Sequence, residues 1–311
     1  MKIAQIGVGG WGKNHARVLS QLGVLSAVCD ADQTRGKEIG EKYGVDHYTS
    51  IDAMLNDKSI DGVFVCTPTA THFNIAKMLI EKKKNVFVEK PMTYKSEEGL
   101  QLMELAKKNN VLLTSGYIER FNPAVEGVKD FVKSKKYGDL IMLEFHRENR
   151  MPLHIKDVGI IYDTCVHDID TAMWLFDDTP QVVFARSGKI RHEHEDFATI
   201  MLGFKDNKVA IISSNWITST RIRRFDAICT EGIISGDFLS QEVKVQRDQQ
   251  VEMVTKEKQE PLTLEIQSFL DALEGNHAHR VRAEDAVNVT KIAEASLLSS
   301  HKGVPIYLEL K

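Results

Sequence analysis

Over the first 115 residues, short apolar runs alternate with stretches whose apolar side chains recur every three or four positions. The runs at 2–6, 26–29, 62–66, 85–88 and 111–114 show little polar alternation, the pattern of strands covered on both faces of a parallel sheet. Helical periodicity falls between them, at 12–22, 33–43, 72–81 and 96–108. This alternation predicts an α/β domain with a doubly wound parallel sheet. One more helix is predicted at 122–134.

From residue 140 the pattern changes. A strand at 140–146 precedes a long helical pattern at 159–176. Strand-like runs then follow with almost no helix, at 181–185, 198–204, 209–216, 223–229, 232–236 and 242–246. Short turns such as Lys205-Asp206-Asn207 join them, which predicts a large, open, mostly antiparallel sheet. Helical patterns at 262–274 and 283–301 and a short strand at 306–308 end the chain. The expected division is 1–119 and 120–311, a nucleotide-binding domain followed by an α+β domain for substrate binding and oligomerisation. Few helices are available to cover the late sheet, so its open face is expected to bury against a copy of itself in a homodimer or homotetramer.

Composition narrows the function classes. The 311 residues are 42% hydrophobic and 27% charged, with a formal net charge of −4, so no global basic field favours nucleic acid or an anionic membrane. The four cysteines (Cys29, Cys66, Cys165 and Cys229) are too sparse for a disulfide framework and form no C-x-x-C pair, which points to reduced thiols and a cytoplasmic protein. Residues 1–7 read as a strand rather than a leader, and no apolar run has the length of a membrane span.

Chemistry is concentrated first in Gly7-Val8-Gly9-Gly10-Trp11-Gly12, a G-x-G-x-x-G that follows a strand and opens a helix. That context gives each glycine a task. Gly7 makes the tight turn, Gly9 lets a pyrophosphate approach the backbone, and Gly12 allows close helix–strand packing. Asp30 ends the second strand, 23 residues after Gly7, where a carboxylate accepts from the adenosine ribose hydroxyls. Ala31 and Asp32 follow, neither basic, so NAD is expected over NADP; Arg35, a helical turn further on, opposes that preference.

Four further stretches complete a pattern: Thr67-Pro68-Thr69-Ala70-Thr71-His72, Glu89-Lys90-Pro91, Arg120-Phe121-Asn122-Pro123, and residues 159–170 with Asp163, His167 and Asp170. With the glycine loop, they resemble the glucose–fructose oxidoreductase and inositol 2-dehydrogenase family (Gfo/Idh/MocA) along essentially the whole chain. The resemblance implies a Rossmann domain that binds NAD through Gly7, Gly9, Gly10, Trp11, Gly12 and Asp30. It implies that Thr67, Pro68 and His72 line the cofactor cleft, and that Glu89 lies near the nicotinamide ribose. Lys90 would lie beside nicotinamide and substrate, facing a D-x-x-x-H-x-x-D helix that here carries Asp163, His167 and Asp170.

The residues support this independently. At about 100° per residue, Asp163, His167, Asp170 and Trp174 share an arc of roughly 60°, flanked by the apolar stripe of Ile161, Cys165, Val166, Ile169, Ala172, Met173 and Phe176. A carboxylate four residues from an imidazole can fix its tautomer and raise its basicity, as removal of a proton from an alcohol requires. No metal site is expected: one histidine and two carboxylates on one helix lack further ligands.

Trp11-Gly12-Lys13-Asn14-His15, residues 156–163 and residues 230–237 resemble the branch acting on nucleotide sugars, the UDP-N-acetylglucosamine 3-dehydrogenases. That branch implies oxidation of a sugar C3 hydroxyl. Asn122, Arg147, Arg150 and Lys156 are then candidate substrate contacts beside Lys90, Asp163 and His167, with Arg147 and Arg150 as donors to a diphosphate. The competing expectations are a dehydrogenase of free polyols or hexoses, and a non-catalytic NAD(H) sensor.

Overall fold

The computed structural model describes residues 1–311 apart from 58, 153, 154, 156 and 309–311. By contacts the chain forms two compact units, Met1–Tyr117 with Leu262–Val287, and Ile118–Pro261 with Asn288–Lys311.

The first unit runs β1 (Ile3–Ile6), α1 (Gly12–Gln21), β2 (Leu25–Cys29), α2 (Gln33–Tyr43), β3 (Asp46–Tyr48), α3 (Ile51–Met54), β4 (Gly62–Val65), α4 (Thr69–Glu81), β5 (Asn85–Glu89), α5 (Ser96–Asn109) and β6 (Leu113–Gly116). The six strands form one sheet in the order β3-β2-β1-β4-β5-β6, with every pairing parallel. This is the doubly wound order of dinucleotide-binding folds, which place ligands at the carboxyl ends of the strands. β1 and β4 are buried at every position, as strands covered on both faces require, and Gln5 is the one polar side chain among them. The short polar β3 and the four-residue α3 escaped the sequence pattern, because Asp46-His47-Tyr48 offers no buried face to detect.

The second unit begins with a 3-10 turn at Ile118–Phe121 and then α6 (Pro123–Ser134), β7 (Leu140–Glu148) and a π-helical turn at Ile161–Cys165. The π-turn runs directly into α7 (Val166–Phe176). The strands β8 (Val182–Gly188), β9 (Phe197–Gly203), β10 (Val209–Asn215), β11 (Ile222–Cys229), β12 (Gly232–Asp237), β13 (Val243–Arg247) and β14 (Gln250–Met253) follow. The next helix, α8 (Pro261–Leu273), packs in the first unit, where Phe269 meets the Phe64 ring edge-on at 5.1 Å and the Phe87 ring at 5.7 Å. The single boundary expected near Glu119 therefore leaves out a segment that its apolar face, Leu262, Ile266, Phe269 and Leu270, commits to the first core. The helix α9 (Ala283–Lys302) and β15 (Ile306–Tyr307) end the chain.

The second sheet has nine strands in the order β14-β13-β12-β11-β7-β10-β9-β8-β15; the β7–β10 pair is parallel and the others are antiparallel. Its side chains alternate. Leu143, Phe145, Ala210, Ile212, Phe225 and Ala227 are buried on one face. On the other, Val182, Gly203, Val209, Met142, Ile228 and Ile233 form a row across the sheet, and Met201 and Ile233 are exposed. Among the described residues no helix is long and apolar enough to cross a membrane.

Candidate active site

In the first unit, the glycine loop closes against the end of β4. Gly7 has φ +85°, and a Cβ there would lie 2.6 Å from the Cys66 carbonyl oxygen. A Cβ on Gly12 would lie 2.3 Å from the Gly7 carbonyl oxygen, so the first turn of α1 can approach the loop only without a side chain. Gln5, fully buried in β1, donates from Nε2 to the carbonyls of Gly7 at 2.9 Å and Gly12 at 2.6 Å. Sequence reading passed over Gln5; the signal was an amide inside an otherwise apolar strand. The loop fits a pyrophosphate: it is tied from behind by Gln5, and a Cβ on Gly10 would meet nothing within 4 Å. Trp11 is exposed beside it.

Asp30 is 5% exposed and fully engaged. Its Oδ2 accepts from Val8 N–H at 2.9 Å and Arg35 Nε at 3.0 Å, and its Oδ1 from Asp32 N–H at 2.9 Å and Arg35 Nη2 at 2.7 Å. Burial disfavours its charge, but the Arg35 hydrogen bonds and the two N–H groups outweigh this and hold the carboxyl below its usual range. Arg35 thus lies against Asp30 itself and 3.5 Å from where a Gly9 Cβ would stand, rather than a turn beyond the carboxylate.

Thr67, His72, Glu89 and Lys90 come together at the ends of β4 and β5. The buried His72 ring bridges the two segments, with Nδ1 2.9 Å from the Pro91 carbonyl oxygen and Nε2 2.8 Å from that of Thr67. Thr71 Oγ1 lies 2.7 Å from both Thr67 Oγ1 and the Pro68 carbonyl, and so fixes the Thr67-Pro68 turn. Glu89 Oε1 is 2.6 Å from Nε2 of the fully buried His15, and Glu89 Oε2 accepts from Lys90 N–H at 2.9 Å. Burial opposes ionisation of Glu89, yet His15 and Lys90 together hold it below the ordinary carboxylate range. His72 and Glu89 are therefore braces around half-buried Lys90, with their polar atoms directed into the protein.

In the second unit, the predicted helix at 159–176 is two pieces. The π-turn carries Asp163 and α7 carries His167, and both side chains are half-buried. Such π-bulges occur often at functional sites. Glu195 Oε1 accepts from Ile161 N–H at 3.2 Å, and a Cβ on Gly159 would strike this carboxylate at 2.2 Å, so the glycine makes room for the brace at the turn's entry. Asp170 departs from the expected trio. It is fully buried and binds Arg120 through Nε at 2.8 Å and Nη2 at 2.6 Å, which joins α7 to the turn before α6.

Two expected substrate contacts are corrected. Arg147 is 1% exposed, donates to Asp168 at 2.7 Å and Glu119 at 2.9 Å, and lies 4.3 Å from the Phe238 ring centroid. Burial disfavours its charge, but Asp168 and Glu119 raise its pKa, and its Nε and Nη2 are engaged within the protein. The alternation of Leu143, Phe145 and Arg147 along β7 was the overlooked signal. Asn122 is 1% exposed; its Oδ1 caps α6 at Ala124 N–H, and its Nδ2 donates to Glu119 and to the Phe238 carbonyl, each at 3.0 Å. Arg150 is exposed after β7, and Lys156 lies outside the described residues. Among the described residues no group of three His, Cys, Asp or Glu side chains is placed to hold a metal ion.

Comparison with known proteins agrees with the fold. Residues 1–117 match the oxidoreductase family with an NAD-binding Rossmann fold, and residues 125–235 match the GFO/IDH/MocA C-terminal domain. The chain is 26% identical over 310 residues to the UDP-N-acetylglucosamine 3-dehydrogenase of Acidithiobacillus ferrooxidans, covering 96% of this chain and 95% of the relative. A solved structure of that organism's enzyme superposes with a TM-score of 0.90 at 25% identity, covering 97% of this chain and 98% of the other. The myo-inositol 2-dehydrogenase of Thermotoga maritima is 28% identical over 265 residues, covering 80% of this chain and 79% of the relative. An oxidoreductase from Agrobacterium radiobacter, solved with NAD+, L-tartaric acid and magnesium, shares the fold with a TM-score of 0.91 at 19% identity, covering 99% of this chain and 98% of the other. The glycine loop, Asp30 and the doubly wound sheet form an NAD-binding domain, and the chain belongs to the Gfo/Idh/MocA family of oxidoreductases.

Proposed function

We propose that the protein oxidises the C3 hydroxyl of a UDP-linked N-acetylated hexosamine, UDP-N-acetylglucosamine or its uronate, to the 3-keto sugar. The observation that carries this reading is the nearly full-length similarity to the Acidithiobacillus enzyme, in a chain that has Lys90 after β5, Asp163 on the π-turn and His167 at the start of α7. When bound, NAD supplies the hydride acceptor. His167 takes the hydroxyl proton, Asp163 one helical turn earlier orients the imidazole, and Lys90 hydrogen-bonds the reacting oxygen. His72 and Glu89 hold the backbone on either side of Lys90, which keeps the ammonium at the strand end where such folds bind ligands. Arg150 remains a candidate for the diphosphate.

A second reading, a dehydrogenase of inositol or another free polyol, is favoured by the 28% identity to the Thermotoga enzyme. A non-catalytic NAD(H) sensor is disfavoured, since it would need no acid–base set. Steady-state turnover with NAD on UDP-N-acetylglucosamine, its uronate and myo-inositol separates the three. The reading expects the highest kcat/KM with a UDP-sugar, and a preference for inositol would replace it. The apolar row on the open face of the second sheet supports a homodimer or homotetramer. Light scattering that gives a monomer mass at micromolar concentration would refute that assembly.

A further inference from the structure

Arg147 and Arg223 stand directly opposite each other in the β7–β11 register. Both share the face of their neighbours Phe145 and Phe225, whose rings stack at 5.8 Å, so the two guanidinium groups enter the same covered side of the sheet. Like charges directly opposite on paired strands destabilise them. Arg147 is relieved by Asp168 and Glu119. Arg223, half-buried, makes no side-chain hydrogen bond or ion pair among the described residues. Asp168 Oδ2 is buried and also has no hydrogen-bond partner among them.

The electrostatics agree with the geometry. Burial, with Arg147 as the next cause, pulls the Arg223 guanidinium down to about 10. Burial pushes the Asp168 carboxyl up to about 6. An arginine with no partner, set against another arginine, strains the fold by itself, and an incoming oxyanion removes the strain. Through Arg147 and Asp168 the pair is also tied to the first turn of α7, one residue from His167.

Resting on the nucleotide-sugar reading above, we propose that Arg223 is the anion anchor of the substrate site, receiving an oxyanion of the UDP-sugar in the role that the internally paired Arg147 cannot fill. The oxyanion is a diphosphate oxygen or, in a uronate substrate, the sugar carboxylate. Both present a pair of acceptor oxygens that a guanidinium can bind in fork fashion.

The test compares wild type with Arg223→Gln and Arg223→Lys on UDP-N-acetylglucosamine, its uronate and myo-inositol, alongside NAD affinity and thermal stability. Loss of an unpaired cation should leave Tm unchanged or raised. KM should rise by about 10- to 100-fold with kcat nearly constant, as for a lost charge-assisted contact that binds ground and transition states equally. NAD affinity should not move, and Arg223→Lys should recover part of the loss. An equal rise for both UDP-sugars assigns the diphosphate; a rise for the uronate alone assigns the carboxylate. KM values within about twofold of wild type for both, or an Arg223→Gln chain that no longer folds, overturn the anchor while leaving the nucleotide-sugar reading intact. A wild-type preference for myo-inositol overturns both.

Discussion

Replacing Arg35 by glutamine tests how the first unit selects its cofactor. All four acceptor positions of Asp30 are occupied, two of them by Arg35. An NAD ribose that bonds to this carboxylate must therefore displace the guanidinium. The Arg35 side chain is 45% exposed, so the pair is screened by solvent and contributes about 0.2–1 kcal/mol. Removing the competitor should tighten NAD by at most about fivefold. NADP carries a phosphate where a displaced Arg35 would meet it, and a charge-assisted hydrogen bond of about 1.5–3 kcal/mol is lost there. NADP affinity should then fall by about 10- to 100-fold. Calorimetric titration of both cofactors into wild type and Arg35→Gln reads both changes. Equal weakening of the two would refute the competition and make Arg35 a general support of the loop.

The other expectations are narrower. His167→Ala and Lys90→Met should each lower turnover by roughly 10²–10⁴-fold while NAD affinity persists; near-normal turnover in folded His167→Ala would remove it as the base. Asp170→Asn leaves Arg120 buried with a weakened partner and should cost about 3–5 kcal/mol of unfolding free energy in denaturant titration, whereas a loss under about 1 kcal/mol would mean that the pair is not structural. The depressed carboxyl of Asp30 contributes stability that is full above its unfolded pKa of about 3.9 and is lost as pH falls through the lower folded value. The stability gap between wild type and Asp30→Asn should thus close as the solution is acidified, and a gap that widened would reverse the sign.

The residues that could be read from sequence are those whose role is local. A glycine loop between a strand and a helix, a carboxylate at the next strand end, and Lys90 after a buried strand all follow from neighbours along the chain. Polar partners from distant segments do not. Glu119 and Asp168 claim Arg147 from positions 28 and 21 residues away, and Arg120 claims Asp170 across 50. These pairings leave no periodic trace, so a cluster rich in donors looked like a diphosphate site. Strand alternation did contain part of the answer. Arg147 follows Leu143 and Phe145 at spacing two, and Arg223 precedes Phe225 and Ala227 in the same way, which puts both on the covered face. The π-turn at Ile161–Cys165 was also out of reach, because the apolar stripe of residues 161–176 fits a regular helix equally well.

Oxidation at the sugar C3 position transfers the C3 hydrogen to NAD, which an isotope label reads out. UDP-N-acetylglucosamine and its uronate, each deuterated at C3, would be incubated with the protein and NAD, and the reduced cofactor examined by mass spectrometry. NADH that carries deuterium is expected, together with a 3-keto sugar nucleotide. NADH without the label, or reduction of NAD only by myo-inositol, would contradict oxidation at C3.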